Sequence, residues 1–591
     1  MSLLSLFFNF MTRTLLCNYQ SPALLLCLFL NGLLVFGSHA QAPAWQTAQA
    51  LAAAGTTVPV VLVQATATDA SGNVYIAGQF SNTLQLGAIT LNAVNGNGFV
   101  AKWSPATNSY VWAQAVGNDL SKVAVSGSSV YVAGDYTGTS LTVGSTTLAN
   151  YDATGNTPDL FVAKYTDAGT SVSSVWAQRA GGLGYEEVNA LAVNGSAVYV
   201  AGSFRGAAAT FGSTTLPNAG GGGTSNASND LFVARLTDAG SSATYGWALR
   251  AGGTAADEAF GLAVSGGSVY VAGGASGTAS FGSLTLTSAG ALDAVVAKIN
   301  DGGTSASYTW AQRLGGTADD EASSLVVSGS SLYVAGIYAN ATLAVGTTTL
   351  TNVGSTDAFV AKLTDAGTSS AFVWAQNMGS TADDAVLTLA VSQSSVYLAG
   401  YFGGRASAGR TLALGSTTLT SAGSRDVVVA RLLDAGSSSS YVWGQQAGGP
   451  RDDLATSLTI ASGRLYVGGE FLSATATFGS FALTNPGGTT GDYGGFLASL
   501  ADPLLATRDA ALQAGLSIYP NPAQATATVQ VPAAGSLATL TLLDGLGRVV
   551  RTASVQAGTT YPLDLAGLAP GVYALRVQVG EKQATRQLVV E

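Results

Sequence analysis

A tyrosine signature that recurs along the middle of the chain constrains the fold more than any other feature. The motif is tyrosine, an aliphatic residue, a small residue and glycine, and its copies begin at Tyr75, Tyr131, Tyr199, Tyr270, Tyr333, Tyr397 and Tyr466. Tryptophans recur with it, at Trp45, Trp112, Trp176, Trp247, Trp310, Trp374 and Trp443. From the third copy onward, the tryptophan precedes the tyrosine by 23 residues. A regular recurrence of this kind predicts a repeat architecture built from stacked copies of one supersecondary unit.

Within one copy the apolar residues alternate with a period of two, which indicates β-strands rather than helices. In residues 321–376, short runs rich in β-branched and aromatic residues are separated by Ser-Gly or Asp-Ala-Gly turns. This pattern is typical of strands joined by hairpins. Each copy is therefore predicted to be a four-stranded antiparallel meander. The strand of the Leu-Ala-Val type has the smallest side chains and is predicted to be innermost, with the tryptophan strand outermost.

These meanders predict an all-β fold in which residues 41–500 form a seven-bladed β-propeller. The tryptophan count also predicts how the ring closes. Trp45 precedes the first inner strand, whereas no tryptophan follows the last strand at 496–498. The strand at Ala44–Ala48 is therefore predicted to complete the seventh blade. An open solenoid is the alternative.

The copies resemble the bacterial propeller repeats known as SBBP repeats. The resemblance lies in the stretch Asp69–Gly78 of the first copy and in the Asp-Ala-Phe-Val-Ala-Lys-Leu stretch at 357–363. It covers roughly residues 45–500 and implies a propeller fold without a particular activity. Later copies replace the Asp-x-x-Gly-Asn turn by Ser-Gly-x-Ser, so a turn that depends on Asp69 is expected only once.

Residues 1–40 are predicted to be a signal peptide. Arg13 precedes an apolar run from Ala23 to Phe36, which a small-x-small cleavage site at 38–40 follows. The run is shorter than the roughly 20 residues that a membrane span needs, so no transmembrane anchor is expected. Met1 and Met11 are both possible starts of translation.

Cleavage after Ala40 would remove every cysteine and histidine of the chain, namely Cys17, Cys27 and His39. Disulfides, thiolate or imidazole metal sites and nucleophiles activated by histidine are then excluded. The chain has 23 basic and 33 acidic residues, and a nucleic-acid partner is excluded because binding would require a basic surface.

Acidic residues recur just before the inner strand, where the predicted topology places them at one rim of the central channel. The residues chosen for this acidic rim are Asp119, Glu187, Asp257, Asp320, Asp384 and Asp453. Carboxylate oxygens suit calcium, so one hypothesis is a cation-binding ring. The other is that each acid accepts backbone N–H bonds within its own loop. No catalytic residue and no other cofactor is predicted.

A second recurring pattern places an acid and a base on one strand. The acids are Asp159, Asp230, Asp293, Asp357 and Asp426, and the bases are Lys164, Arg235, Lys298, Lys362 and Arg431. Because the pattern recurs from blade to blade, it is predicted to form structural ion pairs.

The pattern changes after residue 500. Residues 501–516 are predicted to be a linker, and residues 517–591 a small Ig-like β-sandwich of alternating apolar strands and glycine turns. Three motifs closely resemble the type A C-terminal sorting domain of the type IX secretion system, and their residues are Pro520, Asn521, Pro522, Gly547, Arg548, Pro570, Gly571 and Tyr573. The resemblance implies a Bacteroidota-type cargo that crosses the periplasm and the outer membrane.

That resemblance also implies the secretion machinery and its C-terminal-domain peptidase as partners. The mature protein would be released or attached to surface lipopolysaccharide, and both outcomes stay open. The blades are near-equivalent and none has a singular cluster of reactive residues, which favours non-enzymatic binding, display or adhesion, with a polysaccharide or other surface ligand. The alternative is a carboxylate-dependent glycan hydrolase or lyase, since glycoside hydrolysis can proceed with two carboxylates.

Overall fold

The computed structural model describes residues 42–591, with gaps at 55–59, 94–96, 222–227, 405–407, 489–490, 503–509, 533–536, 545–548 and 580–581. The predicted signal peptide lies outside the described residues. Within the described residues, strands make up nearly all of the regular structure, which confirms the all-β prediction.

The middle of the chain forms seven antiparallel units of four strands, here called repeats 1 to 7. In each unit the first strand pairs with the second, the second with the third, and the third with the fourth. A short hairpin lies between the second and third strands, and in repeat 4 it is continuous with them.

The N-terminal strand is β1 (Trp45–Ala54), and the strands of repeats 1 to 3 follow it. Repeat 1 comprises β2 (Val61–Thr68), β3 (Val74–Phe80), the hairpin β4 (Thr83–Leu86) and β5 (Ile89–Asn92), β6 (Gly98–Ser104) and β7 (Ser109–Val116). Repeat 2 comprises β8 (Asp119–Ser126), β9 (Ser129–Tyr136), β10 (Ser140–Val143), β11 (Thr146–Ala149), β12 (Asp159–Asp167) and β13 (Val172–Gly182). Repeat 3 comprises β14 (Glu186–Asn194), β15 (Ala197–Phe204), β16 (Ala208–Phe211), β17 (Thr214–Pro217), β18 (Asp230–Asp238) and β19 (Ala243–Gly252).

Repeats 4 to 7 have the same order of strands. Repeat 4 comprises β20 (Asp257–Ser265), β21 (Ser268–Phe281), β22 (Leu284–Asp301) and β23 (Ala306–Leu314). Repeat 5 comprises β24 (Asp320–Ser328), β25 (Ser331–Tyr338), β26 (Thr342–Val345), β27 (Thr348–Thr351), β28 (Asp357–Asp365) and β29 (Ser370–Met378). Repeat 6 comprises β30 (Ala385–Ser392), β31 (Ser395–Phe402), β32 (Thr411–Leu414), β33 (Thr417–Thr420), β34 (Asp426–Asp434) and β35 (Ser439–Ala447). Repeat 7 comprises β36 (Asp453–Ala461), β37 (Arg464–Phe471), β38 (Thr475–Phe478), β39 (Phe481–Thr484) and β40 (Gly494–Leu500).

Repeat 7 takes its fourth strand from the other end of the chain. Strand β1 pairs antiparallel with β40, with Trp45 opposite Leu500 and Ala48 opposite Ala498. The pairing predicted from the tryptophan count is thus confirmed. The same strand also pairs with β4 of repeat 1, so it joins the two ends of the repeat series.

The first strands of the repeats contact one another in a cyclic order. Each packs against the first strand of the next repeat, and β36 packs against β2. Residues from all of these first strands line one cavity of about 220 Å³, here called the channel. Third strands such as β12 are almost continuously buried, because neighbouring repeats cover both of their faces. The apolar core accordingly lies between the repeats, in clusters such as the one shared by repeats 2 and 3.

A polar cluster also joins consecutive repeats. Asp365, the last residue of the third strand of repeat 5, accepts hydrogen bonds from Lys298 Nζ at 2.6 Å, Tyr270 Oη at 2.7 Å and Trp310 Nε1 at 3.0 Å, all of repeat 4. Its side chain also accepts a hydrogen bond from the backbone amide of Gly367. Residue 367 has a φ of +93°, a conformation that favours glycine. Aspartates that pair in this way with a basic residue of the preceding repeat are here called latch aspartates. Among the described residues they are Asp167, Asp238, Asp301, Asp365, Asp434 and Asp502.

The ion pairs predicted within single strands are wrong. Lys164 binds Asp238 of the next repeat at 2.6 Å, not Asp159 of its own strand. The same exchange of partner holds for Arg235, Lys298, Lys362 and Arg431, which bind the latch aspartates of the following repeat. Residues five apart on a strand face opposite sides of the sheet, so an acid at its start cannot meet the base.

The C-terminal part forms two antiparallel sheets around one apolar core. One sheet contains β41 (Ser517–Tyr519), β42 (Thr526–Gln530) and β45 (Thr560–Asp564), and the other contains β43 (Leu537–Leu543), β44 (Val549–Gln556), β46 (Gly571–Val579) and β47 (Lys582–Val590). A six-residue helix, α1 (Ala510–Gly515), precedes them within the predicted linker. No helix in the described ranges has the length and apolar character needed to span a membrane.

Candidate functional site

The residues predicted as one acidic rim fall into two separate places. Asp257, Asp320, Asp384 and Asp453 are fully buried between repeats. Each accepts a hydrogen bond from a backbone amide in its own loop, from Gly253, Gly316, Ser380 and Gly449 respectively. Asp119 and Glu187 instead line a cavity of about 340 Å³, here called the channel mouth. The two sets do not form one ring.

Strand register explains this division. Asp119 lies opposite Asp135 and Glu187 opposite Ser203, whereas Asp320 lies opposite Tyr338, one position further along. Successive side chains of a strand point to opposite faces, so a shift of one residue moves an acid from the channel into the space between repeats. The residue of repeat 3 that matches Asp257 is therefore Glu186, which is fully buried.

The channel mouth brings together side chains that lie far apart in the sequence. Asp119, Asp135 and Glu187 contribute carboxyl groups, and Lys122 contributes an ammonium group. Polar side chains complete the lining, and they are Gln64, Gln79, Ser121, Asn189 and Thr456. The Oε1 atom of Gln64 is buried and has no hydrogen-bond partner. The cavity therefore offers both acceptors and a donor to a polar ligand.

Burial sets the electrostatics of this mouth. It raises the pKa of Asp135 to about 8; the Val188 amide at 3.0 Å and Lys122 oppose this rise, while Glu187 and Asp119 add to it. Burial also raises the pKa of Asp119 and lowers the pKa of the Lys122 ammonium. At neutral pH, Asp135 is thus largely protonated.

Further acids lie at the same two registers in other repeats. Glu258 and Glu321 are equivalent to Asp119, and Glu470 is equivalent to Asp135. Burial, with the nearby Glu258 and Asp319, raises the pKa of Glu321 to about 7. Burial likewise raises the pKa of Glu470 to about 7.

The sequence analysis missed Asp135 and Glu470. Their signal is the residue directly after the glycine of the tyrosine signature, a position that is neutral in the other copies. That position faces the channel mouth in the sheet, so an acid there has a different environment from the acids of the loops.

An exposed aromatic residue lies next to the mouth. Arg205 binds Glu187 at 3.3 Å, and its guanidinium lies 5.6 Å from the ring centre of Tyr185. Tyr185 is 36% exposed and Leu183, in the same loop, is 78% exposed. The loop thus presents an apolar face beside a polar cavity.

Calcium at the predicted rim has no support from side-chain clustering. Within the described ranges, no group of three or more histidine, cysteine, aspartate or glutamate side chains is placed to hold a metal ion. The four buried rim acids are surrounded by amide donors, as the second hypothesis for these residues proposed.

The described sorting motif residues lie within or directly beside strands of the C-terminal sheets. Asn521 joins two parts of the chain, because its Nδ2 donates to Gln587 O and its Oδ1 accepts from Val589 N, both at 2.8 Å. The peptide bonds before Pro520 and Pro522 are cis. Tyr573 Oη donates to Ala569 O at 2.7 Å, directly before Pro570 and Gly571. Gly547 and Arg548 lie outside the described residues.

Comparison with known families identifies the C-terminal part. Residues 517–591 match the family described as Secretion system C-terminal sorting domain. These residues are a type IX secretion sorting domain, as the motifs predicted, and they direct the chain to the outer surface or the medium.

Comparison with solved structures finds similar chains at low identity. Saccharomyces cerevisiae Sqt1 is 7% identical with a TM-score of 0.34, over 92% of this chain and 99% of that chain. A protein of unknown function from Dyadobacter fermentans DSM 18053 is 11% identical with a TM-score of 0.31, over 77% of this chain and 98% of that chain. Comparison with curated proteins finds no match.

Proposed function

We propose that this chain is an exported seven-bladed β-propeller of SBBP type that binds a polysaccharide at its channel mouth without chemically changing it. The observation that carries the proposal is the channel mouth itself, a polar cavity beside the exposed Tyr185 on a protein with a secretion sorting domain. No cofactor is part of the proposal.

The propeller assignment rests on the repeats. Four-stranded units whose first strands contact one another cyclically, and whose last unit is completed by β1, fit a propeller better than an open solenoid. For residues 517–591, two sheets of three and four strands around one core fit an Ig-like sandwich.

The ligand class follows from the chemistry of the mouth. Sugar hydroxyls are donors and acceptors, so they suit the carboxyl groups, Lys122 and the unpartnered Gln64 Oε1. An aromatic ring such as Tyr185 supplies the apolar face on which one side of a sugar ring can pack. The excess of acid over base in the lining favours neutral or amino sugars over acidic ones.

A glycan array probed with residues 41–591 tests this proposal. Tyr185→Ala should weaken binding about tenfold, the effect of losing roughly 1.4 kcal/mol of contact. The matched control is Tyr151→Ala, because Tyr151 also packs on an arginine, with the Arg179 guanidinium 3.9 Å from its ring centre, but Arg179 pairs with Asp159 and not with an acid of the cavity. Equal binding by all three proteins would remove the channel mouth from the proposal.

One observation favours a second function, that of a glycoside hydrolase. Asp119 and Asp135 lie opposite each other in the mouth, and burial raises the pKa of Asp135 to about 8. A pair of carboxyl groups of which one has a raised pKa is the arrangement that glycoside hydrolysis uses. If the parent releases new reducing ends from a bound polysaccharide and the Asp135→Asn variant does not, the protein is a hydrolase. That result would overturn the proposal that it binds the polysaccharide without changing it.

Delivery is tested separately by deleting residues 517–591. The truncated chain should fold and accumulate in the periplasm, because the repeats and the C-terminal sheets have separate apolar cores. Its appearance in the medium or on the cell surface would contradict the role of the sorting domain.

A further inference from the structure

Pairs of fully buried carboxyl groups lie where consecutive repeats meet. The first member begins the third strand in repeats 2, 3, 5 and 6 and lies inside the longer strand β22 in repeat 4, and these residues are Asp159, Asp230, Asp293, Asp357 and Asp426. The second member lies at or directly before the first strand of the next repeat, and these residues are Glu186, Asp257, Asp320, Asp384 and Asp453. Each such couple is called a junction pair.

At Gly181, Gly252 and Gly448, the two acids of the pair converge on one point above the glycine. At Gly448, a Cβ atom would lie 2.3 Å from Asp426 Oδ1 and 3.0 Å from Asp453 Oδ2. At Gly252, the equivalent distances to Asp230 Oδ1 and Asp257 Oδ2 are 2.3 and 2.8 Å. Glycine at this position therefore leaves the space in which the carboxyl groups of two repeats meet.

Each acid uses one oxygen to accept a loop amide. In the pair of repeats 5 and 6, Asp357 Oδ2 accepts from Val353 N at 2.9 Å and Asp384 Oδ2 accepts from Ser380 N at 2.5 Å. The other oxygen of the first member is buried without any donor, in Asp159, Asp230, Asp293, Asp357 and Asp426 alike. A buried carboxylate oxygen without a donor is strongly unfavourable, and a second carboxylate beside it makes this worse.

The other groups around the pairs differ from junction to junction. Arg179, Arg250 and Arg313 pair with Asp159, Asp230 and Asp293. Asp357 receives a neutral donor instead, Asn377 Nδ2 at 2.9 Å. At Asp426 the equivalent side chain, Gln446, bonds the backbone of Thr420.

Charged and titratable groups from other elements also face the pairs. Tyr136 Oη donates to Asp159 at 3.4 Å, and Asp135 and Asp452 lie near Glu186 and Asp453. Tyr338 lies near Asp357 and Asp320, and its hydroxyl donates to Asn377. None of these groups places a donor on the unpartnered oxygens.

A proton between the two carboxyl groups satisfies the geometry. One acid then donates an O–H to the other, and the pair has a single negative charge instead of two. A divalent cation fits less well, because N–H donors already occupy the facing oxygens of the second members and, within the described residues, no group of three or more acids is placed to hold a metal ion.

We propose that each junction pair shares one proton, so that the pairs act as a pH-sensitive interlock that fastens consecutive repeats and loosens when the protons leave. Burial raises the pKa of Asp257, Asp384, Asp426 and Asp453 to about 7 and that of Glu186 to about 8. Groups whose pKa is raised in the folded state contribute stability that is complete at low pH and is lost as the pH rises through the folded value. The loss is therefore expected between the ordinary carboxyl pKa near 4 and the folded values of about 7 to 8, that is, between about pH 4 and 8.

Two measurements on residues 41–591 test the interlock. Infrared spectra of the folded protein at pH 6 should show the C=O band of protonated carboxylic acids, and this band should decrease as the pH rises to 9. The melting temperature should fall as the pH rises from about 5 to 8, by on the order of 5 °C, and should change little above that.

Asp357→Asn and Asp426→Asn sharpen the test. At each site the asparagine oxygen can still accept the hydrogen bond from the loop amide. Its NH2 group then stands where the unpartnered carboxylate oxygen was and donates to the second acid in place of the shared proton. The double variant should have a weaker carboxylic-acid band and a smaller fall in melting temperature between about pH 5 and 8. Asp152→Asn, at an exposed loop acid, is the control and should match the parent in both measurements.

Three outcomes would overturn the interlock. The first is a folded parent without a protonated-acid band at pH 6. The second is a double variant whose carboxylic-acid band, and whose fall in melting temperature with rising pH, equal those of the parent. The third is recovery of the melting temperature at pH 9 by millimolar calcium, which would assign the pairs to a cation.

Discussion

The two ends of one strand hold buried aspartates in opposite states. Strand β28 begins with Asp357, which is fully buried, and ends with Asp365, whose side chain is 9% exposed, and both lie at the contact with another repeat. Burial alone would raise the pKa of Asp365, but hydrogen bonds from Lys298, Tyr270 and Trp310 hold it below its ordinary value. Burial raises the pKa of Asp357, because Asn377 and loop amides offset it only in part.

The difference teaches that donors, not burial or residue type, decide the charge of an aspartate in this fold. Asp365 meets a cation and two ring donors, and its pKa is held below its ordinary value. The junction pairs meet another carboxyl group and retain a proton. The two sets should therefore respond to pH with opposite signs.

The contact between repeats 7 and 1 has neither a latch aspartate nor a junction pair among the described residues. It should therefore be the contact most sensitive to deletion. No acid occurs in the turn between β6 and β7, and Gly494 and Val61 begin the strands that would hold a junction pair. Deleting residues 41–50 removes most of β1 and the buried Trp45, whose truncation alone costs about 3–5 kcal/mol. We expect a much lower melting temperature or aggregation through the exposed edge.

Trp45→Ala should produce a milder loss in the same thermal melt. The Trp45 ring packs on Phe478, and its Nε1 donates to Gln446 O at 3.2 Å. An unchanged melting temperature in the deletion variant would show that β1 does not close the series of repeats.

Removing a latch aspartate should be the next largest effect. Asp365→Ala leaves the ammonium of Lys298 buried without its partner, and such losses cost about 3–5 kcal/mol. Urea unfolding at pH 7 measures the change in free energy. Asp357→Asn, on the same strand, is the comparison and should lower the free energy of unfolding much less. Equal losses would mean that the aspartates at the two ends of β28 do not differ in their contribution to stability.

Filling the space over a junction glycine should have an intermediate effect. In Gly448→Ala the new Cβ would collide with Asp426 Oδ1, at a φ of +151° that side chains rarely adopt. A cost of about 1–3 kcal/mol is expected from strain of this kind. Gly267→Ala is the control, because its nearest atom is 3.6 Å away, and a melting temperature equal for both variants would contradict the crowding.

The smallest effect concerns the acid side of the pH profile. The pKa of Asp365 lies below its ordinary value in the folded state, so its contribution to stability is lost as the pH falls below about 4. Thermal melts of Asp365→Asn between pH 2 and 5 should be flatter than those of the parent. A variant with the same acid slope would show that this latch does not titrate there.

Some features of the molecule followed from the sequence alone. The tyrosine and tryptophan repeats predicted the strands, their order and the pairing of β1 with β40, because alternation and turn residues are local signals. The motifs around Pro520 and Tyr573 predicted the sorting domain, which the family comparison confirmed. Whether the repeats form a propeller of SBBP type stays a proposal.

Tertiary structure decided the partners and charge states. A one-residue difference in register places Glu187 in the channel mouth and Glu186 between repeats, and no local signal separates neighbouring acids. Lys164 meets Asp238, 74 residues away, because the facing side chain belongs to the next repeat. The sequence determined the strands through local alternation, whereas the donors around each acid, and hence its proton, depended on the packing of separate repeats.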